Sequence, residues 1–256
     1  MTARLPPDLW RRPNWSVAPQ NPPQRRPLQE FLVIGLLIGW NTIANAVMPH
    51  SGAIVLGIAG MIVLLVVARR GGTSWDYLGL NRQSLRQGIR VGTVGVGVVV
   101  LGVVAATSLP LSREVFADER FVGVGTGGML YETLIRIPLS TALAEEVAFR
   151  GVLLGMLLLW FSPLRATIVS SALFGLWHIL PGLAALDTNP TADVGGGFFG
   201  AAAGVAVQVV LTGLAGAVLA WTRFRGDNLV APVLIHWGIN GAAYVAGWLV
   251  IRNTWA

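Results

Sequence analysis

The residues of this sequence best equipped for chemistry lie between Leu139 and Gly151, L-S-T-A-L-A-E-E-V-A-F-R-G, within a run otherwise apolar enough to cross a membrane. An ionisable side chain near the bilayer centre costs roughly 2.5 to 3.5 kcal/mol on insertion scales, so Glu145, Glu146 and Arg150 together need a compensating role. Successive helix residues lie about 100° apart, which sends Glu145 and Glu146 in different directions and puts Glu146 and Arg150, at i,i+4, on one face. The spacing divides the labour. Arg150 can hold Glu146 ionised, leaving Glu145 as an unpaired carboxylate suited to taking a proton from water. A purely structural buried ion cluster is the competing reading of the same three residues.

Two of the three histidines fall in other apolar runs. His178 ends S-A-L-F-G-L-W-H, with Phe174 one turn before it; His236, in L-I-H-W-G-I-N, has Asn240 one turn after it. Counting about 1.5 Å per residue from the inner helix ends puts Glu145 and His178 about 21 to 22 Å deep, and His236 and Asn240 about 10 to 16 Å. Three helices thus carry polar groups into the middle of the bilayer, where they can share one cavity. Singly, each has a plainer use: His236 with Asn240 as interhelical hydrogen-bonding glue, His178 as a cap on a carbonyl near Pro181. Jointly, a candidate base, a second proton carrier and a donor pair are what hydrolysis by an activated water requires.

Positioning such residues takes membrane-spanning helices, and composition supplies them. The 256 residues are 54% hydrophobic and 12% charged, with a mean hydropathy of +0.66, against roughly 25% charged in soluble domains. The absence of cysteine excludes disulfides, thiolate metal sites and a cysteine nucleophile. Every basic residue is arginine, and the net charge is +6. The arginines flank apolar runs, which makes them topology signals rather than a nucleic-acid surface.

Along the chain, residues 1–30 are rich in Pro and Arg and cannot build a core, so we expect a disordered cytoplasmic arm ahead of a single transmembrane domain, 31–256. Apolar runs at about 31–48, 53–68, 91–109, 129–160, 164–180, 198–221 and 229–251 predict an all-α, polytopic membrane protein of seven to eight transmembrane helices around a polar intramembrane cavity. Residues 71–90 read as an interfacial loop or short surface helix. Arg136 and Pro138 predict a kink or an interfacial lead-in to the fourth span, and an extra half-span there would move the carboxyl terminus to the other side. Gly200 and Gly204 have the GxxxG spacing that lets helix backbones approach. With the amino terminus inside, Arg4 to Arg26, Arg69 to Arg90, Arg165, Arg223 and Arg225 are cytoplasmic, and only Arg113, Arg120 and Arg252 lie outside.

At these motifs the sequence resembles the CAAX prenyl endopeptidase and bacteriocin-processing (CPBP, Abi-like) family of intramembrane proteases. E-E-x-x-x-R stands at Glu145 to Arg150, F-x-x-x-H at Phe174 to His178 and H-x-x-x-N at His236 to Asn240, in that order and each on an expected span, within 129–251. The resemblance implies an endopeptidase acting on a membrane-associated protein or peptide, in a bacterial plasma membrane, through a cavity reached from the cytosol. It further implies that Glu145 with His178 activates a water, that Asn240 and His236 stabilise the oxyanion, and that Glu146 and Arg150, with Phe174, support them. Zinc bound by Glu145, His178 and His236 is an alternative to a metal-free mechanism. The local spacing does not favour it, since there is no H-E-x-x-H pair.

Two other classes fit the same polar residues: a proton-coupled transporter, and a catalytically silent membrane scaffold or immunity protein. The sequence names neither the substrate nor the oligomeric state.

Overall fold

The computed structural model describes residues 27–47, 50–193 and 195–254. Among them are seven long helices: α1 (Leu28–Val47), α2 (Ala53–Arg70), α3 (Leu85–Ser108), α4 (126–157), α5 (Pro163–Ala185), α6 (Gly197–Gly226) and α7 (Val230–Thr254). Six are long and apolar enough, by length and composition, to cross a membrane. The seventh, α4, carries the acidic motif and is about 48 Å long at 1.5 Å per residue. Outer faces such as Val98 and Leu101 of α3, or Val210 and Leu214 of α6, remain exposed, as side chains facing lipid would be. The cytoplasmic arm expected for 1–30 lies almost wholly outside the described residues. Its last residues are already helical, because the apolar run of α1 is preceded by Pro27, whose missing N–H costs nothing in a first helical turn.

Hydrogen bonds between connections show that the helices alternate in direction. At one end, Leu229 donates its N–H to the Gly79 carbonyl (2.8 Å), Ser84 Oγ to the Asp227 carbonyl (2.7 Å) and Asn228 Nδ2 to the Asn81 carbonyl (2.6 Å). These bonds lock the 71–84 connection against the α6–α7 turn, and α4 ends against the same connection. Gly155 lies so close that a Cβ there would fall 2.5 Å from the Tyr77 carbonyl oxygen. At the other end, Glu119 N–H donates to the Thr188 carbonyl (2.9 Å), Asn189 Nδ2 to the Val115 carbonyl (3.1 Å) and Trp248 Nε1 to the Val124 carbonyl (2.7 Å).

Three local features differ from the sequence expectations. Helix α4 neither breaks nor adds a half-span at Pro138: it runs through the proline by widening into π-helical turns over Glu132–Leu143, where an N–H is missing. A second π-helical stretch, Val147–Leu153, follows the glutamate pair. The segment 71–90 divides, with α3 starting at Leu85. The close approach of α5 and α6 falls at Gly175, where a Cβ would lie 2.5 Å from the Val209 carbonyl oxygen, and not at the GxxxG pair. Gly204 instead faces the Ala192 carbonyl in the connection before α6.

The core lies under the polar motifs as a chain of edge-to-face aromatics. Ring centroids are 5.4 Å apart for Trp40 and Trp177, 5.4 Å for Phe149 and Trp177, and 5.0 Å for Phe149 and Phe174. Such contacts fix ring positions more tightly than aliphatic packing does.

Candidate active site

Helix α5 is interrupted at the residue it presents. Pro181 has no N–H for the Trp177 carbonyl, which accepts from Asn41 Nδ2 of α1 instead (2.7 Å). The His178 N–H turns to the Gly175 carbonyl (3.0 Å), which frees the Phe174 carbonyl. His178 Nδ1 lies 2.8 Å from that oxygen. A carbonyl can only accept, so Nδ1 carries the proton and Nε2 keeps its lone pair. The local break thereby fixes the histidine's tautomer.

The acidic pair of α4 splits as its spacing suggests. Glu146 is fully buried, and its Oε1 accepts from Arg150 Nη1 at 2.8 Å and from His236 Nδ1 at 2.7 Å. The Arg150 guanidinium, also buried, lies 3.9 Å above the Phe174 ring, a cation–π contact in a dry setting. Gly216 of α6 makes the room: a Cβ there would stand 3.1 Å from both Arg150 Nη2 and Phe174 Cδ1. Phe174 also packs edge-on against His178 at 4.7 Å and His236 at 6.0 Å, so one ring spaces both imidazoles and the guanidinium.

Glu146 Oε2 has no hydrogen-bond partner, and Glu145 lacks the guanidinium contact as well. Glu145 is buried, yet its Oε2 has no hydrogen-bond partner, and the nearest basic atom is His236 Nε2 at 3.9 Å. Its carboxylate lines a hollow of about 600 Å³ together with His178, Asn240, Ser140 and Thr141. The hollow reaches the end of the bundle that carries the 109–125 connection, where Asp118, Arg120 and Asn189 line it. Arg120 is held by two bonds to Asp118 (3.0 and 2.8 Å) while its side chain stays 64% exposed. A second hollow, about 380 Å³ between α3 and α7, is lined by Val96, Val100, Val104 and Leu249 and offers no titratable group.

Each motif residue named from the sequence is therefore found in or directly behind one hollow. Glu145, His178 and Asn240 line it; His236 stands behind Glu145, bridging the two carboxylates; Glu146, Arg150 and Phe174 form the layer beneath. Among the described residues, no three of His, Cys, Asp and Glu gather closely enough to hold one metal ion.

The first half of the chain contributes more than membrane character. Trp40, Asn45, Ala53 and Leu56 of α1 and α2 form one wall, and Arg136, paired with Glu132, faces in from the first turns of α4. Asn41 and Asn45, hydrogen-bonded to each other at i,i+4 in an apolar run, are a readable signal that the motif search passed over.

Residues 128–242 match the family model described as Type II CAAX prenyl endopeptidase Rce1-like. Over these residues the chain is similar to the Rce1-like family. The Rce1-like stretch runs from α4 into α7 and contains Glu145, Glu146, Arg150, Phe174, His178, His236 and Asn240. No curated protein and no solved structure matches the chain. That similarity and the apolar helices support, at family level, a CAAX-type intramembrane protease and an integral membrane protein.

Proposed function

We propose that this protein is an intramembrane endopeptidase that cleaves a peptide bond of a membrane-associated chain with a water activated by Glu145. The observation that carries the reading is an unspent carboxylate oxygen, Glu145 Oε2, buried at the floor of a hollow large enough to admit a peptide strand. Glu145 takes one proton of the water, while His178 Nε2, its Nδ1–H committed to the Phe174 carbonyl, accepts from the other and aims the oxygen. The hydroxide attacks the scissile carbonyl carbon, and the oxyanion that forms is met by the Asn240 carboxamide N–H. Glu145 then passes its proton to the departing amide nitrogen, leaving a carboxylic acid and an amine. His236, held by Glu146 and Arg150 through its Nδ1, turns Nε2 toward Glu145 and keeps that carboxylate in register. The step draws on Glu145, His178 and Asn240 alone. The arginine-flanked end of the bundle, with the amino terminus, lies in the cytoplasm.

The test is cleavage of a fluorogenic peptide library by the purified protein in detergent. Turnover dependent on Glu145 and indifferent to chelators is expected. No turnover, with proton or solute flux through proteoliposomes instead, would replace the protease by a carrier.

A further inference from the structure

The hollow and most of the arginines occupy opposite ends of the bundle, Arg120 and Arg136 being the two that line it. Arg69, Arg70, Arg86 and Arg90 flank the connection of α2 to α3; Arg165 opens α5, and Arg225 closes α6, all at the sealed end. The connections at the open end hold Arg113 and Arg120 against Glu114, Asp118, Glu119, Asp187 and Asp193. Arginines in short connections near helix ends are retained on the cytoplasmic side, and acidic residues have little influence on orientation. The bias is carried by several separate connections, so no single loop decides it. Cytosolic access to the hollow and a cytoplasmic amino terminus are therefore mutually exclusive in this fold.

We infer that the hollow opens to the extracytoplasmic side of the membrane, and that its substrate is a peptide segment already carried across the bilayer: the outward-emerging or exported part of a membrane-anchored chain. The choice of substrate rests on the proteolytic reading; the sidedness rests on the arginines and on the position of the rim. Exposed Val115 and Arg120 stand at the outer edge of the hollow, Phe116, Phe121 and Pro181 on its walls, and Glu145 at its floor. A segment leaving the outer leaflet reaches the carboxylate without crossing the packed cytoplasmic end, where Gly155 meets the Tyr77 carbonyl too closely to admit even a methyl group.

The chain has no cysteine, which makes the test direct. Glu119→Cys, beside the rim, and Gln83→Cys, at the sealed end, both lie at exposed positions. In spheroplasts of an expressing bacterium, a charged, membrane-impermeant maleimide should label Glu119→Cys at least about tenfold more than Gln83→Cys, with both labelled after permeabilisation. Preferential labelling of Gln83→Cys, or equal labelling of the two before permeabilisation, overturns the inference. In a second arm, peptide supplied to right-side-out vesicles should be cleaved at least about tenfold faster than peptide supplied to inverted ones, with Glu145→Gln vesicles as background. Cleavage confined to inverted vesicles sinks the sidedness and leaves the protease standing. Outward labelling at Glu119→Cys with no cleavage in either vesicle sinks the protease and leaves the sidedness standing.

Discussion

The two ends of this bundle handle buried polar groups in opposite ways. At the sealed end, side chains are spent on backbone: Arg223 donates to the Tyr77 carbonyl, Asn228 to that of Asn81 and Ser84 to that of Asp227. Each bond ties a connection to a helix end and leaves no space beside it. At the open end the polar groups face a hollow, and the deepest of them, Glu145, keeps an oxygen with no partner. Polarity inside the membrane is common to both ends and so does not mark the site. What marks it is hydrogen-bonding capacity left unused beside open volume: Arg223 Nε and Nη1 at the sealed end are also buried without a hydrogen-bond partner, at a cost of about 1–3 kcal/mol each, but Arg223 lines neither hollow.

That contrast can be broken from either side. The largest effect is expected for Glu145→Gln, which keeps shape and removes the base: peptide cleavage should fall by up to about 10⁴-fold, with the unfolding temperature in detergent nearly unchanged. Retained turnover would strip Glu145 of its role and make the open end merely a cavity. Arg150→Ala should instead cost about 3–5 kcal/mol of stability, because Glu146 would lose its guanidinium in a dry site and keep the hydrogen bond to His236. Thermal unfolding reads this, and a variant as stable as the parent would show that the imidazole alone suffices. Asn240→Ala should lower kcat about 10²–10³-fold with little change in KM, the signature of a donor that matters in the transition state. An equal loss in KM alone would recast Asn240 as a substrate contact.

Smaller effects are expected at the sealed end. Gly79 adopts φ +74°, and a Cβ would lie 2.8 Å from Arg223 Nε. Gly79→Ala should therefore cost about 1–2 kcal/mol of stability while leaving turnover per folded molecule unaltered. A drop in specific activity would mean that the two ends are coupled, and that their division into lock and hollow is too sharp.

Much of the chemistry was legible one residue at a time. The i,i+4 spacing of Glu146 and Arg150 anticipated their ion pair, and the unpaired Glu145 is found where that pairing leaves it. His236 was read together with Asn240, because they are one turn apart on the same helix. In three dimensions its Nδ1 belongs to Glu146, 90 positions away. Gly216 carries no motif and yet clears the space for Arg150 over Phe174, a role visible only once α6 is packed. The widening of α4 at Pro138 was read as a kink, since sequence shows that an N–H is missing but not how the surrounding turns will absorb the loss.

By itself the sequence determined that the chain is helical and apolar enough to cross a membrane several times, and which side chains carry unusual charge inside it. These follow from hydropathy, helical period and the cost of ions in lipid, all of which act over about one or two turns. Only the tertiary structure decided that the first two helices wall the hollow, that His236 joins the two glutamates, and that the hollow opens away from the arginines. Those are relations between helices distant in the chain, set by which glycines allow backbones to touch and which carbonyls are left for a neighbour to bond, and local pattern does not encode them.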